Sequence, residues 1–89
     1  MLTPIYKNKF EQDLKRALKR GKNAEKLKSI IRELVAGKKL APKFREHKLV
    51  GNYRDRYECH IEPDWLLVYK RTETEIVFER TGSHSDLFD

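Results

Sequence analysis

The hydrophobic positions of this chain change period once, near Gly37. Before it, Phe10, Leu14, Ala17 and Leu18 recur at helical spacing up to Gly21, and Leu27, Ile30, Ile31, Leu34 and Val35 do so again up to Gly37. Asn8 followed three residues later by Glu11 has the form of a capping box, and Asn23 suits the cap of the second segment, so two helices are predicted. Gly21 and Gly37 close them, because glycine adopts the left-handed conformation that ends a helix. The polar sides carry Lys15, Arg16, Lys19, Lys22, Lys26 and Lys28, a solvated surface that could also follow phosphates. Ahead of the hairpin, Leu2 to Tyr6 predicts a strand, and Pro4, which has no amide hydrogen, places it at an edge.

After Gly37, Pro42 rules out a continuing helix and the apolar period shortens to alternation. Leu49 and Val50 lead to a Gly51-Asn52 turn signal. A strand is then expected from Tyr53 to Ile61, with Tyr53, Tyr57, Cys59 and Ile61 on one face and Arg54, Arg56, Glu58 and His60 on the other. Glu62-Pro63-Asp64 supplies a turn, Trp65 to Tyr69 a buried strand and Glu75 to Arg80 a third, which together make an antiparallel meander. Helices in one half and strands in the other indicate an α+β fold, with the initial strand and helical hairpin on one face of an antiparallel sheet and the other face open and basic.

Composition sharpens this picture. A chain of 89 residues with 38% hydrophobic content builds one core, so a single domain over residues 1–89 is expected. Cys59 stands alone, which excludes an internal disulfide and a cysteine-rich zinc fold. The longest apolar run, Trp65 to Tyr69, is too short to span a membrane, and Pro4, Lys7 and Lys9 interrupt any leader, so a cytoplasmic protein is expected. Lysine and arginine number 20 against 14 acidic residues, a net charge of +6 that favours polyanionic partners such as nucleic acid.

The three histidines, His47, His60 and His84, fall before, on and after the meander. Brought together on the open face, they would sit with Glu58, Asp64, Arg56 and Arg80. Cleavage of RNA without a metal needs a base for the 2′-hydroxyl, an acid for the departing 5′-oxygen and cations for the phosphate between them, and histidine suits both proton roles near neutral pH. Any one of these histidines read alone is an ordinary surface residue. A zinc site finds no support, since no pair of histidines four apart and no Cys/His knuckle is present. Trp65 and Cys59 read as core residues, whereas Phe88, near the chain end, has reason to be held only if it docks on something.

The run His60-Ile61-Glu62-Pro63-Asp64-Trp65-Leu66-Leu67-Val68-Tyr69, then Arg80-Thr81-Gly82-Ser83-His84 and Leu87-Phe88, with His47-Lys48-Leu49 and Gly51 upstream, resembles the signature of YafQ-type toxins. The resemblance spans essentially the whole chain. It implies a RelE-like α+β fold, metal-free and cofactor-free cleavage of messenger RNA at the ribosome, and inhibition by an antitoxin. Free toxin would be a monomer, and its complex with the antitoxin a higher-order assembly. Matching positions make His47, His60, Asp64 and His84 the catalytic set, with Trp65 and Phe88 lining the site and Glu58, Arg80 and Arg56 as further substrate-binding residues. On this reading His84 is the general acid, His60 or His47 the base, Asp64 orients a histidine and Arg80 stabilises phosphate charge. The chain departs from the pattern at Tyr53, where relatives often have tryptophan, and in the acidic Asp89 after Phe88. Two other functions fit the same composition: an RNA- or ribosome-binding module without turnover, and a protein-interaction domain.

Overall fold

A computed structural model describes residues 1–51 and 55–88. The expected strand start at Tyr53, the Asn52 half of the turn signal, Arg54 and the departures at Tyr53 and Asp89 lie outside the described residues. The elements are β1 (Thr3–Tyr6), α1 (Asn8–Lys19), α2 (Ala24–Val35), a short 3₁₀ turn (Pro42–Phe44), β2 (His47–Lys48), β3 (Tyr57–Glu62), β4 (Trp65–Arg71), β5 (Glu75–Gly82) and α3 (His84–Phe88). The strands form one sheet in the order β1-β5-β4-β3-β2.

Both predicted helices are present, with one correction. Lys7, not Asn8, occupies the cap position of α1, and no side chain caps it. The reason lies in the strand before it: the Lys7 amide still donates to Phe78 in the sheet, 3.1 Å, while its carbonyl already accepts from Glu11, also 3.1 Å. The chain passes from strand to helix without a free residue, and Asn8 becomes the first helical one. At α2 the expectation holds, since the Asn23 side chain accepts from the Glu25 amide. Gly37 at φ +79° lets Lys38 donate back to Glu33 and closes that helix.

The sheet corrects the expectation of a purely antiparallel one. β1 lies at the edge, as Pro4 requires, but pairs parallel with β5, because the helical hairpin carries the chain across the sheet before the meander begins. β3, β4 and β5 are antiparallel neighbours, and the added two-residue strand β2 pairs His47 with Glu58.

Alternation along the strands divides the molecule into two layers. Cys59, Ile61, Trp65, Leu67, Tyr69, Ile76 and Phe78 face the helices and pack with Phe10, Ala17, Leu27, Ile30 and Leu34. This burial takes the side chains of the core out of water and is the principal stabilising term. Cys59 belongs to that core, as expected, and burial pushes its thiol up to about 12. The opposite face is not bare. Leu66 and Val68 form a smaller cluster with Leu87 from α3 and with Leu49, so the open face is floored by apolar residues and bounded at one end by a helix that alternation could not predict.

Candidate active site

β2 and β3 bring the first two histidines together. His47 stands opposite Glu58, and His60 follows Glu58 by two residues on the same face. Each histidine directs Nε2 at the same Glu58 oxygen, 3.4 Å away in both cases. The rings lie 6.3 Å apart. Glu58 itself is only 4% exposed, so its carboxylate is largely shielded from water.

The second nitrogen of each ring meets a backbone carbonyl. Nδ1 of His47 is 2.8 Å from the Arg45 oxygen, and Nδ1 of His60 is 3.2 Å from that of Pro63. A carbonyl only accepts, so these contacts are hydrogen bonds when Nδ1 carries the proton, and with Glu58 at Nε2 each ring is held between two acceptors. Arg45 holds its carbonyl there by adopting a left-handed conformation, φ 52°, which is uncommon outside glycine.

The third histidine arrives on α3. Ser83 and Asp86 form a capping box: the Asp86 amide donates to the Ser83 hydroxyl, 3.1 Å, and the Ser83 amide to the Asp86 carboxylate, 3.0 Å. Arg20, at the end of α1, clamps the same carboxylate at 2.7 Å. That guanidinium and the cap hydrogen bonds hold the Asp86 carboxyl well below the usual range. The His84 amide donates to Asp64, 2.9 Å, and its Nδ1 lies 3.6 Å from the same oxygen. The ring is 6.3 Å from His60 and 5.7 Å from Phe88, four residues further on the helix. Asp64 and Pro63 are the two residues of the tight β3–β4 turn, since Glu62 already pairs with Trp65.

His47, Glu58, His60, Asp64, His84 and Phe88 therefore form one row along an end of the sheet. The other candidates are placed differently. Trp65 is 1% exposed and donates its ring N–H to the Thr81 hydroxyl, which corrects the expectation that it lines the site: it supports the turn from the core side. Arg56 binds Glu79 at 2.6 Å. Arg80 stands on the same rung as His47 and Glu58, through Val68, because an extra residue in β5, Glu79, shifts the register by one. Its guanidinium is tied at 2.6 Å to Asp13, a buried carboxylate of α1 that also receives Arg16 and the Thr81 amide. The expected basic cleft is thus built from arginines already engaged by carboxylates.

Sequence reasoning did not single out Asp13, Asp86 or Arg45. Asp13 was visible as an acid in phase with Phe10 and Ala17 on an apolar stripe, and Ser83 to Asp86 as a capping pattern. Nothing in the sequence marks the backbone of Arg45. No group of three or more His, Cys, Asp or Glu is arranged to hold a metal ion among the described residues.

Comparison with known proteins places the chain among toxins of known structure. The mRNA interferase toxin YafQ of Escherichia coli (strain K12) is 38% identical over 84 residues, 93% of this chain and 91% of that protein. The toxin in the crystal structure of the E. coli DinJ-YafQ complex superposes with a TM-score of 0.94 at 36% identity, covering 100% of both chains. A metal-bound toxin from Helicobacter pylori gives 0.92 at 41% identity over 99% of this chain and 100% of that one. The family model described as bacterial toxin of type II toxin-antitoxin system, YafQ, matches residues 2–89, and the chain belongs to that family.

Proposed function

We propose that the protein is an endoribonuclease that cuts messenger RNA on the ribosome by histidine acid–base catalysis, without a metal ion. The observation that carries this reading is the pair His60 and His84, two imidazoles 6.3 Å apart on an exposed face, each oriented by its own acceptor. Catalysis by the pair requires the entering and leaving oxygens of a phosphodiester each to come within about 3 Å of a ring nitrogen.

In this mechanism the His60 imidazole takes the proton of the 2′-hydroxyl, and Glu58 balances the imidazolium that forms. The 2′-oxygen attacks phosphorus, the bond to the 5′-oxygen breaks, and His84 supplies the proton to that oxygen through Nε2, the nitrogen Asp64 leaves free. Asp64 fixes the His84 ring, and Phe88 beside it offers a face for a base. His47 shares Glu58 with His60 and keeps that carboxylate in place. Arg80, anchored by Asp13, adds positive charge on the rung beneath the phosphate.

An antitoxin silences the enzyme by covering this face. The E. coli relative is named an mRNA interferase, and another structure of the family holds it in complex with DinJ, which supports both the activity and a protein partner. The toxin acts in the cytoplasm, where ribosomes are. Induced expression of the wild type beside His84→Ala, with mapping of messenger RNA 5′ ends, tests the reading. Growth arrest and new cuts are expected in the wild type alone. Equal cutting in both strains would remove His84 from the mechanism, and no cutting in either would leave a binding module.

A further inference from the structure

Beside His60 lies a cavity of about 540 Å³ between α2, the 3₁₀ turn and the end of β3. Its apolar lining includes Ile30, Phe44 and Ile61, and its cations are Lys26, Lys43 and Arg45. We infer that this cavity is a nucleotide subsite, which holds the base and phosphate of a single-stranded RNA residue adjoining the scissile bond. The inference rests on the ribonuclease reading above and adds to it where the neighbouring nucleotide is bound.

The charges around the cavity decide what it takes. Glu62 is already bridged by Lys22 and Lys26, at 3.0 and 2.9 Å, and these lysines hold its carboxyl below the usual range. Glu25 faces Lys28 at 3.8 Å. Among the described residues Arg45 has no side-chain hydrogen bond or ion pair, and the Lys43 ammonium, 5.1 Å over the Phe44 ring, has no carboxylate against it. Two uncompensated cations therefore stand at the rim of a partly apolar, aromatic-lined hollow, the combination that accepts a phosphate and a stacked base. His60 forms part of the wall, so a nucleotide seated here is continuous with the histidine row. The left-handed backbone of Arg45 serves both sites: its carbonyl fixes His47, and its side chain faces the cavity.

The test is the binding of a 2′-O-methyl RNA oligonucleotide, which cannot be cleaved, measured by fluorescence anisotropy across a salt series. Arg45→Gly is the informative change, because glycine keeps the left-handed backbone and its carbonyl while removing the guanidinium. Combined with Lys43→Gln it is expected to raise Kd at least tenfold and to flatten the dependence of log K on log salt by about 0.7, the value for one phosphate contact on a single strand. Arg45→Lys should restore the slope. An abasic residue at one oligonucleotide position should weaken binding about fivefold or more in the wild type and little in the double variant. Wild-type cleavage of messenger RNA, free and in programmed ribosomes, is followed in parallel. Cleavage by the wild type with Kd and slope unchanged in the double variant overturns the subsite and leaves the nuclease standing. Equal weakening toward inorganic polyphosphate, with no abasic effect, overturns it in favour of a general basic patch. Neither binding nor cleavage by the wild type removes both readings.

Discussion

His84 is fastened to Asp64 twice, by its backbone amide at 2.9 Å and by its ring Nδ1 at 3.6 Å, both to the same carboxylate oxygen. The two contacts separate by substitution. Asp64→Asn keeps an oxygen for the amide but removes the charge that orients the ring, whereas Asp64→Ala removes both. Because a misplacement of about 1 Å at a reacting group can cost roughly 10²-fold, Asp64→Ala should lower cleavage by about that factor and Asp64→Asn by less. Removing the proton donor itself, His84→Ala, should cost about 10²–10⁴-fold. Single-turnover rates on a defined RNA, with folding checked by circular dichroism, order the three variants. A loss in Asp64→Asn as large as that in Asp64→Ala would assign the effect to charge rather than to placement.

Glu58→Gln tests the shared carboxylate. Glutamine retains an oxygen toward His47 and His60 and is close to isosteric, so the fold should persist, but the imidazolium formed during proton transfer loses its counter-charge. A fall in kcat of about 10²-fold is expected, with KM changed far less. A rise in KM at constant kcat would instead make Glu58 part of the RNA-binding surface.

How far the sequence discloses this site depends on what holds each residue. His60 and Glu58 were legible as one polar strand face because alternation follows from the pleat, whereas Arg56, expected on the same strand, lies just before β3 begins at Tyr57. The burial of Cys59 and Trp65 followed in the same way. The pairing of His47 with Glu58 was not legible, since β2 is two residues long and has no periodicity of its own. Nor was the rung position of Arg80, which a single bulge at Glu79 decides. α3 escaped notice because five residues are too few for a helical period, although the Ser83–Asp86 spacing marked its start. The parallel pairing of β1 is a matter of chain path, which a local pattern does not encode. Recognition of the motif supplied what periodicity could not: that histidines from separate segments meet.

The Asp86 latch gives a prediction with a sign. Its carboxyl is depressed by Arg20 and by the Ser83 cap, so the stability it adds is present above the ordinary carboxylate range and is lost as pH falls through its lower folded value. Asp86→Asn should therefore destabilise the protein at neutral pH, by about 1 kcal/mol from the weakened cap alone, and the gap from the wild type should close in acid. Thermal melts at pH 7 and below pH 3 measure it. The latch also carries α3, so a loss of cleavage in Asp86→Asn larger than its loss of stability explains would show that it positions His84.

Cys59 is pushed up to about 12 chiefly by burial, with Glu46 and Glu58 adding to the shift. The folded protein should then be almost inert to iodoacetamide at pH 8, because the thiolate is the reacting species and the site is closed, and should react fully in denaturant. The linkage runs the other way from Asp86. A raised pKa favours the folded state below the ordinary thiol value of 9.0, and that contribution is lost as pH rises toward 12. Cys59→Ser removes the titration, and a steeper alkaline loss of stability in the wild type than in this variant is the expected difference.

The last prediction concerns the ends left on the RNA. If His60 removes the 2′-proton and the 2′-oxygen attacks phosphorus, the upstream fragment must end in a 2′,3′-cyclic phosphate and the downstream fragment must begin with a 5′-hydroxyl. A single 2′-deoxy substitution at the cut site should abolish cleavage while leaving binding nearly intact, because only the nucleophile is missing. Both proton roles and the counter-charge are supplied by side chains, so protein dialysed against EDTA should cut at an unchanged rate. The 5′ ends decide the matter most directly: fragments that ligate to an adaptor only after phosphorylation by a kinase agree with attack by the 2′-oxygen. Fragments that ligate without it carry a 5′-phosphate, which requires water as the nucleophile and would replace the His60 mechanism altogether.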